Sequence, residues 1–170
     1  MKKRILLVVS CPILLWVVYI FALTKPSNSR EWAVGMEKLP VIDVHGQVVV
    51  LKGLRDYHYD DRGLVSADYL DLDFDSAKLD RVWFVFEPFA QFKAVAHTYF
   101  VFDFKDNIPL VISVEARRGE NQKYSAFWGL FNQYELMYVW ATEGDQTVRD
   151  RKSTRLNSSH IQKSRMPSSA

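Results

Sequence analysis

Apolar and polar residues alternate along the middle of the chain, and this alternation predicts β-strands. The clearest run is Val95–Phe104, in which odd-numbered and even-numbered side chains face opposite sides, so His97 and Tyr99 share a face. Leu110–Arg117 alternates in the same way. Two further segments, Gln47–Leu51 and Arg81–Phe86, also predict strands, and Tyr124–Phe131 predicts a short helix. Tyr134–Trp140 predicts another strand, with a helix as the alternative because its periodicity is mixed. The pattern indicates an α+β fold with a central antiparallel sheet and few short helices.

The N-terminus has the composition of a membrane anchor. Lys2, Lys3 and Arg4 precede the uncharged run Ile5–Leu23, which as a helix would span roughly 28 Å, close to the thickness of the bilayer's hydrocarbon core. The run is longer than the apolar region of a cleaved signal peptide, and no small-x-small site follows it. We therefore predict one transmembrane helix, an uncleaved signal anchor over residues 1–24, with the N-terminus inside the cell. A cleaved signal peptide and a buried core helix are the alternatives.

The remaining chain divides into a linker, a globular part and a tail. Residues 25–29 are a polar linker, and residues 30–149 hold the periodic segments. Residues 150–170 have too few apolar side chains to bury a core. A common short-read sequencing adapter, translated in frame, encodes residues 150–160 and 164–170. The three residues between them have the length expected for the variable index of such an adapter. We predict that the natural sequence stops near Arg149 and that 150–170 is a non-native, disordered tail.

The net charge of +2 is not spread evenly along the chain. The tail carries five Lys/Arg and one Asp, so the first 149 residues have a net charge of −2. When Lys2, Lys3 and Arg4 are also left out, the part expected to be exported has a net charge of −5. Proteins bind nucleic acids mainly through Lys and Arg contacts to the negatively charged phosphates. An acidic domain lacks this attraction, so we expect no nucleic-acid partner.

Cysteine and carboxylate patterns limit the possible chemistry. The single cysteine, Cys11, excludes a disulfide framework and lies in the apolar run, where it acts as a small apolar residue. The Asp-rich stretch between Asp68 and Asp80 lacks the glycine and the closing glutamate of a calcium loop. We interpret it as a solvated acidic face and predict no metal site and no cofactor.

Several short blocks have the order and spacing of one known family. Together they resemble the N-terminal periplasmic domain of the lipoprotein intramolecular transacylase (Lnb) family over roughly Arg30 to Asp145. The resemblance implies an incomplete, partly papain-like domain of an exported, membrane-anchored protein. The blocks are Arg30–Trp32, Leu54–Tyr59, Tyr69–Leu72, Ala96–Phe100, Ser113–Glu120, Tyr124–Ala126, Gly129–Phe131, Tyr134–Leu136 and Glu143–Asp145.

The resemblance also implies a reaction. Lnb-type enzymes move an acyl chain within a lipoprotein's N-terminal diacylglyceryl-cysteine, from glycerol to the amino group, using a Cys and a His. His97 matches the family's Ala-His-Thr block, whereas the matching Cys belongs to an Asn-Cys-Thr block downstream of this chain. The resemblance therefore implies a lipoprotein or lipid acyl substrate, a periplasmic domain on the inner membrane, and a fragment that is inactive because it holds no nucleophile. Gly144 departs from the family, whose members often have Arg there.

A hairpin of the two clearest strands predicts neighbours for His97. Its expected register places Tyr99 opposite Glu115 and His97 opposite Arg117, so that His97 and Glu115 are diagonal neighbours on one face. We predict that His97 is catalytic and that Glu115 orients its imidazole. Arg117, with Arg118, would then bind Glu115 or an anionic group of the substrate. A structural ion cluster of the same side chains is the alternative.

A second function class stays open. A lone histidine between Ala96 and Thr98 in a strand is commonly a packed, hydrogen-bonded residue. The chain would then be a non-catalytic binding module of the cell envelope, with a structural His97. A downstream cysteine, required for activity, would distinguish the acyltransferase from this module.

Overall fold

A computed structural model of the chain describes residues 11–20, 27–89, 92–129, 131–147 and 162–165. The chain divides into two compact units. The first consists of the described residues of 1–37 and 116–136, and the second of those of 38–115 and 137–170.

Strands dominate the described residues, and the helices are short. The helical pieces are α1 (residues 11–18), a 3₁₀ turn at Ser76–Lys78, α2 (Ala126–Gly129) and α3 (residues 143–147). The strands are β1 (Val41–His45), β2 (Val48–Asp60), β3 (Gly63–Asp75), β4 (Leu79–Phe89), β5 (Phe92–Phe104), β6 (Leu110–Arg117), β7 (Glu135–Thr142) and β8 (Gln162–Arg165).

The strands form one sheet in the order β1-β2-β7-β6-β5-β4-β8, and β3 pairs with β2. β4 and β6 both pair antiparallel with β5, and β2 pairs antiparallel with β1 and β3. The pairing of β2 with β7 is parallel, at Arg55 and Ala141. The predicted sheet-rich α+β fold with few short helices is thus confirmed, and the parallel pairing of β2 with β7 departs from a purely antiparallel sheet.

The sheet residues of the second unit bury two apolar clusters. Val101 and Val111, which are register partners on β5 and β6, pack with Val85 and Tyr99. The next pair of partners, Phe102 and Leu110, belongs to a cluster around Leu51, Leu54 and Phe74. Because successive residues of a strand point to opposite faces, the two clusters lie on opposite faces of β5 and β6.

A glycine at a β-bulge shapes β2. The register between β2 and β3 shifts at Gly53, whose φ of 79° lies in the left-handed region. The Gly53 N–H donates to Asp71 Oδ1 at 2.9 Å, and a Cβ at this position would lie 3.0 Å from Lys38 Cε. Both the backbone angle and the space therefore favour glycine.

Gly53→Ala is expected to destabilise the second unit by about 2 kcal/mol, since it combines left-handed strain with displacement of Lys38. Gly46→Ala has the same kind of φ, 63°, but open space around its Cβ, so it should cost about 1 kcal/mol. Gly144→Ala lies in α3 without a close contact and should stabilise by up to about 1 kcal/mol. Urea unfolding of the three variants checks this order, and equal losses at all three positions would contradict it.

The predicted signal anchor falls largely outside the described residues. Of residues 1–24, the structure describes only residues 11–20, of which 11–18 are α-helical. In the described ranges, no helix combines the length and the apolar character needed to cross a membrane.

Four residues of the tail that was predicted to be disordered form a strand in the structure. Gln162–Arg165 form β8, which pairs antiparallel with Trp83–Phe86 of β4. Apart from β8, β4 lies at the end of the sheet. An edge strand offers unpaired N–H and C=O groups that an extended segment of any composition can pair with. The other residues of 150–170 lie outside the described part of the chain.

Candidate functional site

His97 lies on β5 next to a buried carboxylate of β4. The register of the two strands pairs His97 with Glu87 and Tyr99 with Val85. Cross-strand partners project from the same face, and Val85 and Tyr99 belong to one of the buried clusters. Glu87 is only 3% exposed, so its carboxylate lies at the polar end of this apolar cluster.

The other neighbour of β5 is β6, and its register differs from the predicted one by two residues. Tyr99 pairs with Ser113 rather than with Glu115. A shift of two keeps every side chain on its predicted face. The pairs between the two strands run from Phe102 and Leu110 to Tyr99 and Ser113, and alternation places Glu115 on the same face as Ser113 and His97 on the same face as Tyr99. The predicted pairing was therefore wrong, although His97 and Glu115 do share a face.

We name Glu87, His97, Tyr99, Ser113 and Glu115 the His97 cluster. The Ser113 hydroxyl donates to Glu115 Oε1 at 3.1 Å, and Ser113 and Glu115 are both buried. The His97 ring meets the Tyr99 ring edge-on, with 5.6 Å between ring centroids. Among the residues that the structure describes, the buried His97 Nε2 has no hydrogen-bond partner.

This arrangement has the parts of an acid–base site. A carboxylate level with an imidazole can hold its N–H and fix its orientation, which leaves the other nitrogen to exchange a proton with a reacting group. The cluster has a carboxylate from each neighbouring strand on this face: that of Glu87 on β4, which is level with His97, and that of Glu115 on β6. Within the described ranges, no three His, Cys, Asp or Glu side chains are grouped so that they could hold a metal ion.

Arg117 belongs to the first unit and has a different set of partners from the predicted one. Its Nε donates to the Met36 carbonyl at 2.8 Å and its Nη2 to the Glu37 carbonyl at 2.9 Å. The guanidinium lies 3.8 Å from the centre of the Trp32 ring, a cation–π geometry. Burial lowers the pKa of Arg117 below its ordinary value, and the charges of Glu135 and Glu37 oppose this effect.

Arg117 uses these donors to hold the 32–37 segment. Arg118 acts in the same region. Its backbone carbonyl accepts from the Ala33 N–H at 3.0 Å, and its Nη1 approaches the Gln122 carbonyl at 3.5 Å. The role of the two arginines in binding a substrate, or in an ion cluster with Glu115, stays a prediction.

The second unit contains a buried ion pair that the sequence did not predict. Arg55 on β2 donates from Nε to Asp145 Oδ2 at 2.6 Å, and its Nη2 approaches Gln146 Oε1 at 3.4 Å. Their exposed fractions are 3% for Arg55, 1% for Asp145 and 0% for Gln146. Beside it, the Thr142 hydroxyl donates to Asp56 Oδ1 at 2.7 Å. These contacts join α3 and the end of β7 to β2.

Glu87 is the member of the His97 cluster that sequence reasoning missed. The predicted strand ended at Phe86, three residues before the end of β4 and one residue before Glu87. A signal was present, because Trp83, Val85 and Glu87 continue one alternating face. The pairing with His97 could not be predicted without the register of β4 against β5.

Comparisons with known proteins give one finding. A family model described as the Lnb N-terminal periplasmic domain matches residues 66–169, more than half of the chain. The family that the sequence blocks resemble is thereby confirmed. The match starts later than those blocks and extends over most of residues 150–170. No curated protein and no solved structure matches significantly.

Proposed function

Since the chain belongs to the Lnb N-terminal periplasmic domain family, we propose that it is a membrane-anchored extracytoplasmic domain whose His97 is the general base of a thiol-dependent acyl transfer. The anchor is the apolar run at residues 5–23. The substrates are lipoproteins or lipids that carry ester-linked acyl chains. The thiol comes from a cysteine encoded beyond the present sequence.

One observation supports this proposal above the others. His97 is level with a buried carboxylate, that of Glu87, while its buried Nε2 has no hydrogen-bond partner among the described residues. A histidine that is only structural would be expected to use both of its nitrogens when they are buried. A general base needs one nitrogen that is directed at the reacting group.

The reaction follows from these roles. His97 takes the proton of the cysteine thiol, and the thiolate attacks the ester carbonyl of the acyl glycerol. The ester C–O bond breaks, the glycerol oxygen takes the proton from the imidazolium, and a thioester remains. The amino group of the lipoprotein's terminal cysteine then attacks the thioester. An amide forms, the thiolate leaves, and the proton lost by the amine returns to His97.

The proposal is tested by recovering the complete reading frame from the source DNA and expressing its product. We expect an Asn-Cys-Thr block after residue 149, and N-acylation of a diacylated lipoprotein detected by mass spectrometry. Alanine at the new cysteine should abolish the activity, while Cys11→Ser, the matched control, should retain it. A complete protein without such a cysteine would refute the acyltransferase and leave the binding module.

A further inference from the structure

α1 exposes apolar side chains on all sides. Residues 13–19 are all apolar or aromatic, and each of these side chains is at least 39% exposed. A helix that is apolar around its whole circumference requires apolar surroundings. Membrane anchoring, as proposed above, supplies them, because this helix lies inside the apolar run at 5–23.

An aromatic contact connects α1 with a second segment of the first unit. The Trp16 ring lies 4.8 Å from the Phe131 ring between centroids, and the Phe131 ring lies 5.2 Å from that of Phe127. Phe127, at the start of α2, is 60% exposed. The apolar surface of α1 therefore continues into the region of α2.

The segment around α2 is held in a defined conformation. The Tyr134 hydroxyl donates to the Lys123 carbonyl at 2.9 Å and accepts from the Ser125 N–H at 2.7 Å. The Tyr124 ring stacks on the Tyr134 ring at 5.9 Å with an interplanar angle of 18°, yet Tyr124 is 56% exposed. Aromatic rings are thus presented to the surroundings by a segment with a defined conformation, which we call the aromatic loop (residues 124–129 and 131–134).

We infer that the aromatic loop contacts the same lipid bilayer that receives α1, which makes it a second membrane-binding element. The inference rests on the proposed anchoring. Phe127 contacts Phe131, which contacts Trp16, so the depth of Trp16 in the bilayer limits the depth that Phe127 can take. Tyr and Phe rings suit this region, because their apolar bodies enter the acyl boundary while the Tyr hydroxyl stays hydrated. Exposed Lys123 adds a cation suited to anionic headgroups.

The test uses the full chain, with Cys11→Ser, in vesicles of phosphatidylethanolamine and phosphatidylglycerol. Single cysteines replace Phe127 or Tyr124 and carry a fluorescent label, and two sets of lipids, with a nitroxide on the headgroup or along the acyl chain, quench the label according to its depth. Ile13→Cys reports on the anchor itself. The matched control is Val34→Cys, an apolar residue of the same unit that is 68% exposed and outside the ring contacts described above.

We expect the labels at 127 and 124 to be quenched several-fold more than the label at 34. If the label at 13 is quenched while those at 127 and 124 match the one at 34, the inference is overturned and the anchoring stands. If the label at 13 also remains unquenched, the anchoring and the inference both fail. Two loop positions are used so that a local effect of one substitution does not decide the result.

Discussion

His97→Gln, introduced into the complete protein, is expected to lower the rate of acyl transfer by about 10²–10⁴-fold, the usual contribution of a positioned general base. Glutamine keeps a polar side chain of similar size on β5 but has no basic nitrogen. The loss should therefore appear in kcat, while the fold and the binding of the lipoprotein are retained. Single-turnover acylation measured by mass spectrometry gives the rate.

The matched control for this experiment is Thr98→Val, one residue along β5. Thr98 pairs with Phe86, is exposed and lies on the face opposite to His97. Replacing Thr98 should keep the rate within about twofold of that of the unchanged protein, because surface substitutions away from a site usually have small effects. A His97→Gln protein that is as active as this control would exclude catalysis by His97 and would support the structural alternative.

Arg55→Ala is expected to destabilise the second unit by about 3–5 kcal/mol, the cost of leaving one member of a buried ion pair without its counter-charge. Asp145 is 1% exposed and accepts from Arg55 at 2.6 Å. Without the guanidinium this carboxylate must stay charged in a nearly dry environment, take up a proton, or pull α3 away from β2. Urea unfolding of the full chain measures the change.

Two variants separate the lost charge from the lost side chain. Arg55→Met combined with Asp145→Leu removes both charges and should cost far less than Arg55→Ala, because apolar replacement of a whole buried pair is often close to neutral. Arg62→Ala, at the exposed turn between β2 and β3, should change stability by less than about 0.5 kcal/mol. A double variant as unstable as Arg55→Ala would show that the packing of these side chains, and not their charge, stabilises this region.

Local alternation was enough to predict the strands around His97. Val95–Phe104 and Leu110–Arg117 were predicted almost as β5 and β6 occur. Most odd-numbered residues of the two strands are more buried than their even-numbered neighbours, and this difference gives the sequence its period of two. β3 was missed because its Asp residues are unusual in strands. Asp71, Asp73 and Asp75 occupy its more exposed face, while Leu70, Leu72 and Phe74 face inward.

Contacts between distant segments were beyond sequence reasoning. The register of β5 and β6 depends on how the 105–109 loop closes, and the prediction was off by two residues. Glu87 and His97 come together through the pairing of β4 with β5, and Arg55 meets Asp145 across 90 positions of the chain. Nothing local at either end of these pairs encodes the other end.

The strand pairing at the β4 edge matters for anyone preparing a shortened protein. β8 has the sequence Gln-Lys-Ser-Arg, without an apolar side chain, and pairs with Trp83–Phe86 of β4. Ending a recombinant chain at residue 149 removes this strand and leaves the backbone of β4 open to neighbouring molecules. Self-association of such a product would increase with its concentration. A soluble extended peptide added during purification, competing for that edge, would suppress it.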